Sequence, residues 1–452
     1  MVLFGCASEQ SFPISATEVV RVSDPDRAMA ATTREWLALA HHRLNSFLPP
    51  GHTPPLLTEA MGLPGGAPVS VYKYFDRDPR GMNSIFSNLG GLLGTVQATG
   101  SRFGPAYPSD WPEFDDVWIP VAPGLEVAGR LGLACDEAGN PIITDCIVIL
   151  AGLFGDNSTV RSRDLGVALR EAGFHVLSLE QRGHGWTESR YPDHPYTFGV
   201  LEVGDIIAAG EWLQKRPEVR STGLIGFCWG ATEALLTAWE DGRDENHPDV
   251  AAGLKDHLRT RSGERVFTAG IVAFSPPLEF ERLLDRLENR ATWFSNPVFA
   301  ALNDIVDARA RQKGYPELDG DLRALTRLEA ARACPDDPDF FDEGMRYVRL
   351  MPYRGLDVTN KLESIRVPTL VVYGIDDPVA SAQSVADLLS QTQNPMVAGV
   401  ILPGGGHCGF APYSKNYFYS LLVSFFDRDL GAAACVNRSF VRARAMPKRH
   451  GP

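Results

Sequence analysis

A chain of 452 residues, 44% hydrophobic and 22% charged, has globular composition and the length of one large α/β domain with insertions, or of two to three smaller domains. Its net charge of −13 excludes the broad basic field that nucleic acid or an anionic membrane surface would require. Seven cysteines without a CxxC pair exclude a zinc finger or a disulfide framework, so a reducing cytoplasm is the expected compartment.

The start, MVLFGCASEQ, lacks the charged n-region and apolar stretch of a leader, and no later apolar run is long enough for a membrane span. TTREWLALAHHRLNSFL combines a capping box, Thr32 with Glu35, and apolar Leu37, Ala40, Leu44, Phe47 and Leu48 at helical spacing, which predicts a helix. His41 and His42 read as a helix-face pair rather than metal ligands, because no third ligand is near. The Pro/Gly-rich LPPGHTPPLL and the stretch NLGGLLGTVQATGSRFG carry no chemistry. Residues 1–113 read as an N-terminal extension packed on the main body.

From Val117 the pattern sharpens. VWIPVAPGLEVAGRLGLA predicts two strands joined at Pro123–Gly124, and CIVILAGLFG is a continuous apolar run of the kind that forms a strand buried on both faces. A helix over SRDLGVALREAG, a strand over FHVLSLE and a loop over QRGHGWTES follow, and His184 in that loop reads as a stabilising residue. A helix with Val203, Ile206, Ile207, Gly210 and Leu213 on one face then leads to the strand TGLIGF. After the strand AGIVAFSPP the period changes. Phe280, Leu283, Leu284 and Leu287 stand at helical spacing in a segment that also carries Trp293, Phe294, Phe299, Phe340 and Phe341. The alternation resumes with VPTLVVYGIDDP, SAQSVADLLS and VAGVILPGGGHCGF, and the helix KNYFYSLLVSFFDRDL closes it. Strands alternating with helices imply a mostly parallel sheet between helix layers. The expected division is an extension (1–113), a first core part (114–277), a helical cap or lid (278–360), a second core part (361–430) and a solvated basic tail (431–452).

GLIGFCWGATEALL carries the chemistry. A nucleophile on a strand-to-helix turn needs small residues two positions to either side, which Gly226 and Gly230 supply around Cys228. The positive end of the following helix and a nearby imidazole would lower the thiol pKa. His407, in the glycine-rich GGGHCGF, is the candidate base. Asp376 and Asp377, directly after a strand, are the candidate acids that fix its tautomer; Asp377 is preferred and Asp376 stays open. The backbone N–H groups of Trp229 and Leu153 are the expected oxyanion hole. Cys408 beside His407 reads as a packing residue or a second oxidisable thiol.

The phrases AGLFG, QRGHGWTES, GFCWGAT, GIDDP and GGHCGF stand in the order and spacing of α/β-hydrolases, from roughly Val117 to Leu430. The NP…GGH-x-GF ending resembles the YheT-like (embryogenesis-associated) branch, while the cysteine elbow is closer to those of dienelactone hydrolases and polyhydroxyalkanoate synthases. The resemblance implies an α/β-hydrolase fold with a helical cap and an N-terminal extension, and places nucleophile, acid and base on Cys228, Asp377 and His407. Two departures stand out: Ala151-Gly152 replaces the usual His-Gly, and Glu180-Gln181 the usual Asp before RGHG. The expected activity is hydrolysis of a carboxylic ester, lactone or thioester, with a small-molecule acyl substrate and no metal or organic cofactor. An acyltransferase using the same acyl-enzyme, and a non-catalytic scaffold that keeps the fold, are the alternatives.

Overall fold

The computed structural model describes residues 13–15, 18–19, 32–48, 111–259, 264–289, 297–352 and 358–427. In chain order its principal elements are α1 (Thr33–Asn45), β1 (Asp115–Ala122), β2 (Leu125–Gly132), β3 (Thr144–Leu150), α2 (Val160–Glu171), β4 (His175–Glu180) and α3 (Gly185–Arg190). Next come α4 (Glu202–Gln214), β5 (Val219–Phe227), α5 (Trp229–Gly242), α6 (Ala252–Lys255), β6 (Gly270–Phe274), α7 (Phe280–Glu288) and α8 (Pro297–Gln312). The remainder are α9 (Leu322–Ala333), α10 (Phe340–Tyr347), β7 (Thr369–Gly374), α11 (Ala382–Gln391), β8 (Val397–Leu402), α12 (Phe410–Tyr413) and α13 (Lys415–Phe426).

The strands form one eight-stranded sheet in the order β1-β2-β4-β3-β5-β6-β7-β8. β2 runs antiparallel to β1 and β4, and all other neighbours are parallel. The β1–β2 connection turns at Gly124, whose φ of +74° is one that favours glycine. Every residue of β3, β4, β6, β7 and β8 is buried, which is why these strands read as continuous apolar runs. Side chains still alternate between faces: Cys146, Val148 and Leu150 of β3 enter one core with α4, α5 and α7, while Ile147 and Ile149 enter the other with α1, α2 and α13.

The capping box of α1 forms as the sequence predicts. Thr32 Oγ1 accepts from Glu35 N at 3.2 Å, and Glu35 Oε2 accepts from Thr32 N at 3.1 Å. The helix lies against α13, with Trp36 edge-on to Phe425 at 5.2 Å, and reaches the end of the sheet. There Arg34 donates to the carbonyls of Val397 (3.1 Å) and Thr392 (2.6 Å). The side chains of His41 and His42, both glycine-rich stretches of the extension, Trp293, Phe294 and the basic tail lie outside the described residues.

The stretch QRGHGWTES departs from its expected loop conformation, because Gly185–Arg190 forms α3. The reason is Glu180. Its carboxylate accepts from Trp186 N at 2.7 Å in the first turn, its carbonyl accepts from Thr187 Oγ1 at 2.8 Å, and a carboxylate is favourable at a helix N-terminus. Between β6 and β7 the chain is helical. Phe280, Leu283, Leu284 and Leu287 of α7 all face the core, as do Phe299 and Phe340. Among the described residues no helix is long and apolar enough to cross a membrane.

Candidate active site

β5 ends at Phe227 and α5 begins at Trp229, so Cys228 alone makes the turn, at φ 54° and ψ −124°. This backbone is strained for a residue with a side chain, at a cost on the order of 1–3 kcal/mol. The surroundings hold it there. Cys228 N donates to Phe274 O at 3.0 Å, and the Cys228 carbonyl accepts from Ala231 N at 3.0 Å and Thr232 N at 3.3 Å. The two flanking glycines are sterically required. A Cβ on Gly226 would lie 2.2 Å from Gly230 O, and one on Gly230 would lie 2.1 Å from Ala151 O. The loop after β3 is pressed on the turn as well, since a Cβ on Gly152 would meet the Cys228 Cβ at 2.9 Å. Leu153, the expected second amide donor, follows Gly152 directly.

The loop after β8 returns over this turn through Gly405 (φ +121°) and Gly406 (φ +52°). It presents the His407 imidazole, whose Nδ1 lies 3.0 and 3.1 Å from the two carboxylate oxygens of Asp377. Both side chains are buried. Asp377 Oδ1 also accepts from Val379 N (2.8 Å) and Ala380 N (3.1 Å), which compensates the carboxylate for lost water. Asp376 points elsewhere: its Oδ1 accepts from Gly406 N at 2.9 Å and so braces the histidine loop. Burial pushes the Asp376 carboxyl up to about 7.

The electrostatics follow from this packing. Burial alone would raise the Cys228 thiol, but the His407 imidazolium, its hydrogen bond to the thiol and the Trp229 N–H more than offset it, so the thiol is held below its ordinary value. Burial likewise opposes charge on His407, yet Asp377 and the Cys228 thiolate hold the imidazolium well above the ordinary histidine range. Each of the two groups thus favours the charged form of the other, at the N-terminus of α5. Cys408, next in the chain, is buried with its Sγ 3.7 Å from Phe274 O, and burial pushes its thiol up.

The Glu180-Gln181 departure has structural partners. Glu180 accepts from Asn157 N (2.9 Å) as well as from Trp186 N, tying the loop after β3 to α3, and burial pushes its carboxyl up to about 7. Gln181 donates to Glu233 Oε2 at 2.7 Å, and Tyr196 donates to Glu233 Oε1 at 2.6 Å, beneath the turn. His184 donates from Nδ1 to Arg182 O at 2.8 Å. Burial and the Arg309 charge push it down to about 3, so it is neutral and braces its loop.

The sequence reading missed a second triad-like arrangement. Cys334 Sγ lies 3.5 Å from His257 Nδ1, and His257 Nε2 lies 3.0 Å from Asp337 Oδ2. No motif or strand end marks these residues, which come from the chain after α6 and the end of α9. The setting is the reverse of that at Cys228. Cys334 caps the C-terminus of α9, where the helix dipole disfavours a thiolate, and burial together with Asp337 pushes its thiol up to about 11.

Residues 147–414 match the alpha/beta hydrolase family, and no curated protein matches the chain. Among solved structures, an esterase of Pyrococcus furiosus is similar at 18% identity and TM-score 0.47, over 72% of this chain and 97% of that one. A 2,6-dihydroxy-pseudo-oxynicotine hydrolase is similar at 13% identity and TM-score 0.43, over 75% of this chain and 71% of its own. The Pyrococcus horikoshii acylaminoacyl peptidase is similar at 14% identity and TM-score 0.39, over 70% of this chain and 42% of its own.

Proposed function

Since this chain belongs to the alpha/beta hydrolase family, we propose that it is a hydrolase that cleaves a carboxylic ester, lactone or thioester through an acyl-cysteine intermediate on Cys228. The observation that carries this reading is the strained, glycine-flanked turn that holds a lowered-pKa thiol beside a histidine already bonded to a buried carboxylate.

The Cys228 thiolate attacks the carbonyl carbon, and the carbonyl π pair moves to oxygen. The backbone N–H groups of Trp229 and Leu153 hold that oxyanion. As the intermediate collapses, the leaving group departs with the proton from the His407 imidazolium, giving a thioester and neutral imidazole. His407 then takes a proton from water as its oxygen adds to the thioester carbon. Collapse of the second intermediate releases the acid and restores the thiolate beside the imidazolium. Asp377 keeps the Nδ1 tautomer and stabilises the ring each time it is charged. No metal or organic cofactor takes part in these steps.

Intact-protein mass spectrometry after brief exposure to activated esters and acyl thioesters tests the proposal. Wild type, Cys228→Ala, Cys334→Ala and His407→Ala are compared. An acyl adduct on wild type and Cys334→Ala that is absent from Cys228→Ala is the expected result. An adduct that survives in Cys228→Ala and maps to Cys334 would overturn it.

A further inference from the structure

Beside the acid loop, α7 and α11 flank a narrow, open groove with a free volume of about 20 Å³. Two arginines a helical turn apart on α7, Arg282 and Arg286, share it with Ser381 and Ser384 at the N-terminus of α11. Arg282 is matched, to Glu279 at 3.0 Å and to Ser384 Oγ at 3.1 Å. Arg286 is not. It donates to Val379 O at 3.1 Å and stacks 5.6 Å from the Phe299 centroid, and among the described residues no carboxylate lies within ion-pair distance of it. Burial, with Arg282 close by, pushes its guanidinium down, and the Glu279 carboxylate on the groove wall and the Asp377 carboxylate offset this only in part.

A second, independent feature lies in the same groove. Tyr373 is fully buried, and its hydroxyl has no hydrogen-bond partner, an arrangement that costs free energy unless something supplies one. Tyr373 sits in a strand paired on both sides, so it reaches the groove with its side chain. A half-buried guanidinium, a donor-capable phenol and a helix N-terminus all complement negative charge. We propose that this groove binds a carboxylate or phosphate group, with Arg286 and the Tyr373 hydroxyl as its direct donors, Arg282 at its rim and the α11 N-terminus behind it.

The groove wall includes Val379 and Ala380, whose amides hold the Asp377 carboxylate, so it adjoins the acid of the active site. A bound anion can therefore be the charged end of an acidic substrate or a free anion. Only the substrate assignment rests on the esterase reading above.

Binding is measured without catalysis, as the thermal shift of Cys228→Ala on adding inorganic phosphate or glutarate. Turnover of mono-p-nitrophenyl glutarate and p-nitrophenyl butyrate is compared in wild type, Arg286→Gln and Arg282→Gln. An acidic-substrate site predicts that Arg286→Gln lowers kcat/KM for the glutarate ester about tenfold or more, leaves the butyrate ester within about twofold, and abolishes the thermal shift. Arg282→Gln, already paired with Glu279, has a smaller effect. A shift abolished by Arg286→Gln without ester discrimination assigns the groove to a free anion. If neither anion shifts the Cys228→Ala protein and the ester ratio is unchanged in both arginine variants, the groove proposal is wrong. That result leaves the acyl-cysteine proposal standing, because adduct formation does not depend on it.

Discussion

Replacing Gly230 with alanine probes the turn where its parts touch. The added Cβ would lie 2.1 Å from the Ala151 carbonyl oxygen, against a floor of 3.0 Å for real contacts. That neighbour is backbone and cannot rotate away, so the loop after β3 must retreat by roughly 0.9 Å. The same loop carries the Leu153 amide, and a donor displaced by about 1 Å no longer meets an oxyanion at hydrogen-bond distance. A loss of about 10²-fold in kcat follows, with KM little changed. Overpacking costs about 1–3 kcal/mol, a fall of about 1–3 °C in Tm for a chain of this size. Thiol reactivity separates the causes, because iodoacetamide needs the thiolate but no oxyanion hole. The expected result is an alkylation rate at Cys228 within about threefold of wild type beside the hundredfold fall in ester turnover. If the two rates fall together, the substitution has broken the thiolate rather than the hole. If neither falls, the contact between the β3 loop and the elbow has no part in the reaction.

His407→Ala removes the cation that holds the Cys228 thiol down. At pH 7 its alkylation should slow by at least about tenfold, with the rate recovering only as pH rises; an unchanged pH profile would remove the thiolate–imidazolium pair. Asp377→Asn should lower kcat by about 10³-fold through loss of imidazolium stabilisation, whereas Asp376→Asn, which keeps an acceptor for Gly406 N, should stay within about fivefold. Equal losses in ester turnover would refute that division. Lys361 is fully buried with its Nζ donating to Tyr347 O at 2.9 Å, and burial pushes it down to about 7. The unfolded chain binds this proton up to about pH 10.4 and the folded chain does not, so the Lys361 contribution to stability grows as pH rises from about 7. The Tm of wild type minus that of Lys361→Met should therefore become more positive between about pH 7 and 9.5; a constant or falling value would contradict the assignment.

The parts of this molecule that are legible in its sequence are those specified by local periodicity and tight sterics. The buried strands announce themselves as apolar runs, and the four apolar positions of α7 as a 3.6-residue stripe. Gly226 and Gly230 mark places where only a missing Cβ lets two backbones meet, while Gly404 and Gly405 before His407 lie against the rings of Tyr413 and Phe410. What escapes is set by contacts remote in sequence. Arg34 reaches carbonyls more than 350 positions away, and nothing near it predicts that reach. Cys334, His257 and Asp337 meet across separations of 77 and 80 residues with no motif. The helix Gly185–Arg190 was hidden for a related reason: its sequence has loop chemistry, and a buried carboxylate from the preceding strand supplies its cap. The choice between adjacent Asp376 and Asp377 depends on which side of one turn each faces, a matter of backbone direction and not of composition.

The position of α1 has a consequence for the behaviour of the protein in solution. β8 is the last strand of the sheet, and a buried, apolar strand with an open edge is a template for pairing with another chain. Arg34 spends two donors on carbonyls at the start of this strand and in the turn before it, and its own N–H bonds Pro395 O. The N-terminal helix thus acts as an edge guard, recruited from the opposite end of the chain. The carbonyls that this helix occupies at the start of β8 are thereby withdrawn from pairing with a strand of a second chain.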